Sequence, residues 1–187
     1  MAKQFPALTA DHRKFIEEQH MFFSGSAGPS GRVNISPKGM DSLRIMGENR
    51  ILWMNLTGSG NETAGHLKQD PRMTLMWCSY TRRPLILRCY GTAKTYHPGD
   101  DGWDSRAVEF PAHRVEFPAH RSARQIYDVT VDMVQTSCGY AVPFMDFVQD
   151  RDTMQTWVDG KSDEDLRQYW RDKNTTTLDG QETGIPV

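Results

Sequence analysis

The stretch Gln125–Gln135, QIYDVTVDMVQ, carries the clearest statement of fold in this chain. Tyr127, Val129, Val131 and Met133 recur at every second position, with Asp128, Thr130 and Asp132 between them, which is the pattern of a strand with one face in a core. On the N-terminal side of it, strand-like runs appear at Arg32–Ser36, Leu43–Met46, Arg50–Leu56, Arg72–Tyr80 and Leu85–Tyr96, most with the same alternation. In the first of these, Val33 and Ile35 stand opposite Arg32, Asn34 and Ser36. Short turn signals, PKGMD and GEN among them, separate the early runs. The expectation is a mainly β fold, an antiparallel sheet that curls into a barrel, with too few helices to cover a parallel one.

Helices fall at the periphery. Residues 9–23 read as an opening helix with Phe15, Ile16, Gln19, Phe22 and Phe23 near one face, although Met21–Ser26 could equally begin a strand. A short helix over Asn61–Asp70 follows the glycine-rich TGSG turn and is stopped by Pro71. Residues 150–158 and 162–173 look helical; in the second, Ser162 caps, Asp163, Glu164 and Asp165 fill the first turn, and Leu166, Tyr169 and Trp170 form an apolar stripe. The tail from Asn174 to Val187 is polar and reads as extended. VEFPAHR occurs twice in succession at 108–121, and with Pro111 and Pro118 it reads as a duplication that lengthens a surface loop. The repeat by itself explains why His113 and His120 occupy equivalent positions.

A chain of 187 residues suits one hydrophobic core, so residues 1–187 read as a single domain with a helical extension over about 150–187. The 22 Lys and Arg against 24 Asp and Glu give a net charge of -2, which argues against nucleic acid as a partner. No apolar run approaches the roughly 18–20 residues of a membrane-spanning helix, and MAKQFPALTADHRK lacks a signal-peptide core, so a cytoplasmic protein with no membrane partner is expected. Cys78, Cys89 and Cys138 form no CxxC pair and read as reduced and mostly buried, Cys138 as a structural cysteine.

The segment Thr57–Thr63, TGSGNET, could cradle a phosphate, because glycine permits close backbone approach and a helix start offers free N–H groups. The plain alternative is a connector. Arg32, Asn34 and Ser36 share one strand face with Lys38 in the next turn, a wall of cations and hydrogen-bonding groups unless it is only a solvated face. Trp53 could lend a flat surface beside that wall, or be a core residue. His66 reads as a packing or capping residue. His12 and His20, eight apart, do not have helical metal spacing, and no nucleophile elbow or HExxH is present.

RVNISPKG, then ILWMNLTGSGNETAGHLKQDPRMTLMW, then PLILRCYGTAKTY resemble the pyridoxamine 5′-phosphate oxidase-like group of FMN-binding proteins over about residues 10–140, and VQTSCGYAVPF and LDGQETGIP are similar to an oxidase branch distinct from the biosynthetic enzyme. The resemblance implies a six-stranded antiparallel Greek-key split β-barrel with peripheral α-helices, a homodimer, and one FMN in each of two interface clefts. It implies cofactor contacts from Arg32, Lys38, Trp53, Met54, Asn61 and Thr63, to which the strand face adds Asn34 and Ser36 and the glycine turn adds Ser59, with Arg32 and Lys38 supplying most of the charge; it names no catalytic side chain and no metal. Two departures stand out. Glu62 lies where the biosynthetic enzyme has a cation, and its C-terminal Arg-X-His pair has no counterpart between Trp170 and Val187.

The function so implied is FMN-dependent oxidoreduction of a small organic substrate by hydride transfer to or from the flavin. The alternatives are a flavin- or haem-binding module without turnover and a deazaflavin-dependent reductase.

Overall fold

The computed structural model describes residues 2–110 and 121–187. Its elements run β1 (Lys3–Phe5), α1 (Ala10–Glu17), β2 (Phe22–Ser26), β3 (Asn34–Lys38), β4 (Leu43–Ile45), β5 (Arg50–Leu56), α2 (Glu62–Gln69), β6 (Arg72–Cys78), β7 (Leu85–Tyr96), α3 (Asp104–Ala107), β8 (Ala123–Cys138), α4 (Thr153–Asp159) and α5 (Asp163–Lys173). The strands form one antiparallel sheet in the order β3-β2-β6-β7-β8-β5-β4, with β1 also on β8. This is the expected mainly β split barrel with peripheral helices, built among the described residues from eight strands and not six. The two additional strands are β1, too short to show a period, and β2, where the FFSGS sequence leaves the helix and alternates buried Phe22, Ser24 and Ser26 with half-buried Phe23 and Gly25.

The long β7 and β8 hold the sheet together, and a bulge between them resets the phase of the Gln125–Gln135 stretch. Tyr90 pairs with Met133 and Gly91 with Val131, leaving Asp132 as the extra residue. Gly91 is required there, since a Cβ would lie 1.9 Å from the Thr130 carbonyl oxygen. Beyond the bulge Val134 enters the core, whereas Met133, expected on the buried side, is half-buried.

β5 is covered on both faces, which explains why ILWMNL is apolar without alternating. Ile51 and Trp53 join Phe15, Phe22, Leu75, Trp77, Leu87, Tyr127 and Val129 in one core, while Leu52 and Met54 pack with Tyr96, Trp103, Phe110 and Ile126 in a second. β3 reverses the usual arrangement: Val33 before it and Ile35 within it are each 69% exposed, and the polar Asn34, Ser36 and Lys38 are the half-covered side.

α5 begins with a complete capping box, in which Asp165 N–H donates to Ser162 Oγ at 3.1 Å and Ser162 N–H donates to Asp165 at 2.9 Å. It docks through Leu166 and Trp170, whose indole N–H donates to Thr57 Oγ1 at 2.9 Å. The tail after it is not an extended polar end. Thr177 N–H donates to Gln181 O at 2.8 Å, Gly180 turns the chain at φ 78°, and Thr177, Thr183 and Ile185 are buried, so residues 174–185 form a packed hairpin. Its own hydrogen bonds, invisible to periodicity, make the difference. Cys138 is exposed at the end of β8, contrary to the buried role expected for it, because the ladder ends there. Most of the VEFPAHR duplication, with both of its histidines, lies outside the described residues.

Candidate functional site

A cavity of about 590 Å³ opens between the end of β3, β5, the loop 57–60 and the start of β8. Of the residues singled out from sequence, Ser36, Lys38, Trp53, Met54 and Ser59 line it together. Lys38 enters at the end of β3 with its ammonium 5.4 Å from the Trp53 ring centroid. Burial, with Arg124 adding to it, pulls the Lys38 pKa down to about 8, and Glu62 opposes this.

The other four have different surroundings. Arg32 lies before β3, not on it; its guanidinium pairs with Asp179 of the hairpin, and its backbone N–H donates to the same carboxylate at 2.7 Å. These bonds hold the Asp179 carboxyl below the ordinary range. Asn34 donates to Thr63 Oγ1 at 3.2 Å, and Ser26 Oγ lies 3.3 Å from Thr63 Oγ1 and 3.1 Å from His66 Nδ1, so Asn34 and Thr63 hold β3 and β2 against α2. His66 is the buried packing residue expected.

Asn61 belongs to a buried amide chain beneath the glycine loop. Asn55 donates to Gln125 at 2.9 Å, Gln125 to Asn61 at 3.0 Å, Asn61 to the Asn174 carbonyl at 3.0 Å, and Asn174 back to Gly58 O at 2.9 Å. Fully buried amides of this kind specify one loop position because an unpaired member is costly.

Arg124, at the start of β8, was not singled out from sequence. It is 3% exposed, lines the cavity, and donates to Gly58 O at 3.2 Å and Gly60 O at 2.6 Å. Its Nε is buried without a partner among the described residues, and burial works against its charge. The ion pairs among the described residues use neither Arg124 nor Lys38. Two cations thus border one cavity whose described lining holds a single carboxylate, Glu62. The sequence signal for Arg124 was weak: a polar Arg-Gln pair opening an otherwise alternating strand. Met154 and Leu178, from beyond the barrel, complete the lining and were likewise missed.

Such a site suits an anionic ligand with an apolar part: cations and a loop for the anion, the half-buried Met40 and Met154 for the apolar part. The sequence profile described as pyridoxamine 5′-phosphate oxidase matches residues 8–138. The chain belongs to the pyridoxamine 5′-phosphate oxidase family. A curated member, the Pyridoxamine 5'-phosphate oxidase family protein ustO of Aspergillus flavus, is 30% identical over 152 residues, covering 80% of this chain and 59% of the relative, so the chain spans about three-fifths of that relative's length. Among solved structures, a histidine-to-alanine variant of HupZ from Group A Streptococcus superposes with a TM-score of 0.55 at 16% identity, covering 69% of this chain and 98% of that one. HutZ from Vibrio cholerae, described as a haem storage protein, gives 0.52 at 11% identity over 71% of this chain and 97% of its own. At these identities the likeness to the solved structures is one of fold. Among the described residues, no helix is long and apolar enough to cross a membrane.

Proposed function

We propose that the chain binds FMN in the cavity at Lys38, Trp53 and Arg124 and acts as an FMN-dependent oxidoreductase on a small organic substrate. The observation that carries the reading is the pair of cations, Lys38 and Arg124, neither in an ion pair among the described residues, one of them with an orphaned buried Nε. A phosphomonoester supplies the missing negative charge and acceptor oxygens. Ser59 offers an exposed hydroxyl in the same lining, and the half-buried Met40 and Met154 offer apolar surface to the isoalloxazine ring. Arg124 also engages the carbonyls of Gly58 and Gly60, which keeps those acceptors from facing an incoming anion.

When bound, FMN supplies the hydride chemistry, and the chain's part is to hold and shield it. The chain acts as a homodimer in this reading. Val33 and Ile35, with Phe23, Met73, Met76 and Tyr90, border an apolar groove of about 510 Å³ on the outer side of β3, β2 and β6, the kind of surface a second copy covers.

Flavin fluorescence titration of the purified chain tests binding, and anaerobic reduction followed by reoxidation in air tests turnover of the flavin. Saturable FMN binding with quenched fluorescence and reversible bleaching is expected. A chain that does not bind FMN at micromolar concentration overturns the reading, and one that binds flavin that no reductant can cycle is a carrier, not an enzyme. Light scattering of the FMN-saturated protein is expected to give twice the 21.4 kDa chain mass. A monomer removes the dimer from the reading.

A further inference from the structure

The family match ends at residue 138, yet the cavity does not. Two of its lining residues, Met154 in α4 and Leu178 in the C-terminal hairpin, come from beyond that point, and both are apolar. We infer that this C-terminal extension forms the substrate-facing wall of the cavity through Met154 and Leu178, and that the substrate is uncharged and apolar on that side; the inference rests on the FMN reading above.

The hairpin is held where a wall must be. Asn174 is tied at both ends, its side chain donating to Gly58 O at 2.9 Å and its carbonyl accepting from Asn61 at 3.0 Å and from Thr183 Oγ1 at 2.5 Å. Asp179 pairs with Arg32, and buried Thr177 donates its backbone N–H to Gln181 O. Leu178 lies between these fixed residues and is nevertheless 73% exposed, an apolar side chain at the rim of a cavity. A ligand with an apolar face removes that surface from water.

Charge points the same way. Lys38 and Arg124 come from β3 and β8 and are accounted for by the cofactor's phosphate. Arg32, the cation nearest the hairpin in bonding terms, is spent on Asp179. The extension adds no cation to the described lining, and Glu62 adds an anion. A second phosphate or a carboxylate on the substrate would therefore find no partner among the described lining residues once the cofactor is in place.

The test uses the full-length chain loaded with FMN, with two probes followed by quenching of tryptophan fluorescence: menadione, uncharged and planar, and pyridoxal 5′-phosphate, planar and anionic. Menadione is expected to bind about tenfold or more tighter than pyridoxal 5′-phosphate, and Leu178→Asp to weaken menadione about tenfold while leaving the FMN Kd within about twofold. Leu178→Ala, gentler on the fold, is expected to weaken menadione by less, and Asp179→Asn to weaken it by releasing the hairpin. The inference is overturned if pyridoxal 5′-phosphate binds as tightly as menadione or if both Leu178 variants bind menadione like the wild type. It is also overturned if Leu178→Asp converts a dimer to a monomer, which would make Leu178 a subunit contact. If the chain binds no FMN, the functional reading fails separately, and the menadione titration of the flavin-free wild type and variants still decides the role of Leu178.

Discussion

Two arginines, one just before β3 and one at the start of β8, show how differently the fold can use the same side chain. The Arg32 side chain is 72% exposed and paired with Asp179, while Arg124 is 3% exposed with two loop carbonyls as partners and one nitrogen unpaired among the described residues. A cation left in water gains little from any one partner and serves to fasten one segment to another. A cation removed from water without a counter-anion is costly unless a ligand completes its surroundings. In the FMN reading proposed above, the difference separates the fastening of the cavity from the residues that hold the ligand.

The largest effect expected from this contrast is at Arg124. Arg124→Met removes a charge and the bonds to Gly58 and Gly60, and should raise the Kd for FMN about 100-fold in a fluorescence titration, a value consistent with charged hydrogen bonds of roughly 1.5–3 kcal/mol each. Binding like the wild type would erase the distinction between the two arginines.

Lys38→Met comes next, with a Kd increase of about tenfold. Its pH dependence separates a buried cation from an exposed one in a second way. The Lys38 pKa of about 8 in the free protein should rise when a phosphate sits beside it, so binding takes up a proton and FMN affinity falls as pH climbs above 8. The same depressed pKa means that the flavin-free fold, which binds fewer protons here than the unfolded chain, gains stability as pH rises from about 8 toward the ordinary lysine value. Titrations across about pH 7 to 10 should show the loss of affinity in the wild type and not in Lys38→Met, the range being set by roughly one unit or more either side of the transition.

Arg32→Ala should change the FMN Kd by less than about threefold, since its partner is the hairpin's Asp179 and it does not line the cavity. A loss as large as that of Arg124→Met would return Arg32 to the cofactor. Smallest of all, Glu62→Gln should leave FMN binding unchanged or slightly tighter, because it removes the only carboxylate among the described lining residues. Calorimetric titration resolves both.

How legible the site was depends on which part is considered. Arg50–Leu56, Leu85–Tyr96 and the helix stopped by Pro71 could be read because turn residues and apolar spacing are local properties. Lys38, Trp53 and Ser59 could be placed near one another because strand, turn and helix start follow in sequence. Asn34, Asn61 and Thr63 were legible as polar residues but not in their use, since a hydrogen bond to Ser26, Gln125 or Asn174 depends on segments tens of residues away. Arg124 and Leu178 gave no local sign of facing the same cavity.

A mainly antiparallel β barrel with helices at its edge, the glycine turn that opens α2, and the family could all be had from the order of the amino acids. These follow from alternation, turn chemistry and ordered motifs, each confined to a short window of chain. Three features waited on the packed chain: that β2 leaves the helix, that a bulge at Gly91 exchanges Met133 for Val134 in the core, and that the tail folds back as a hairpin. So did the division between the arginine that is buried and the one spent on a surface pair. The physical reason is that burial is not a property of a residue: β5 pairing with β8, and the hairpin lying across the loop, remove Arg124 from water and leave Arg32 in it.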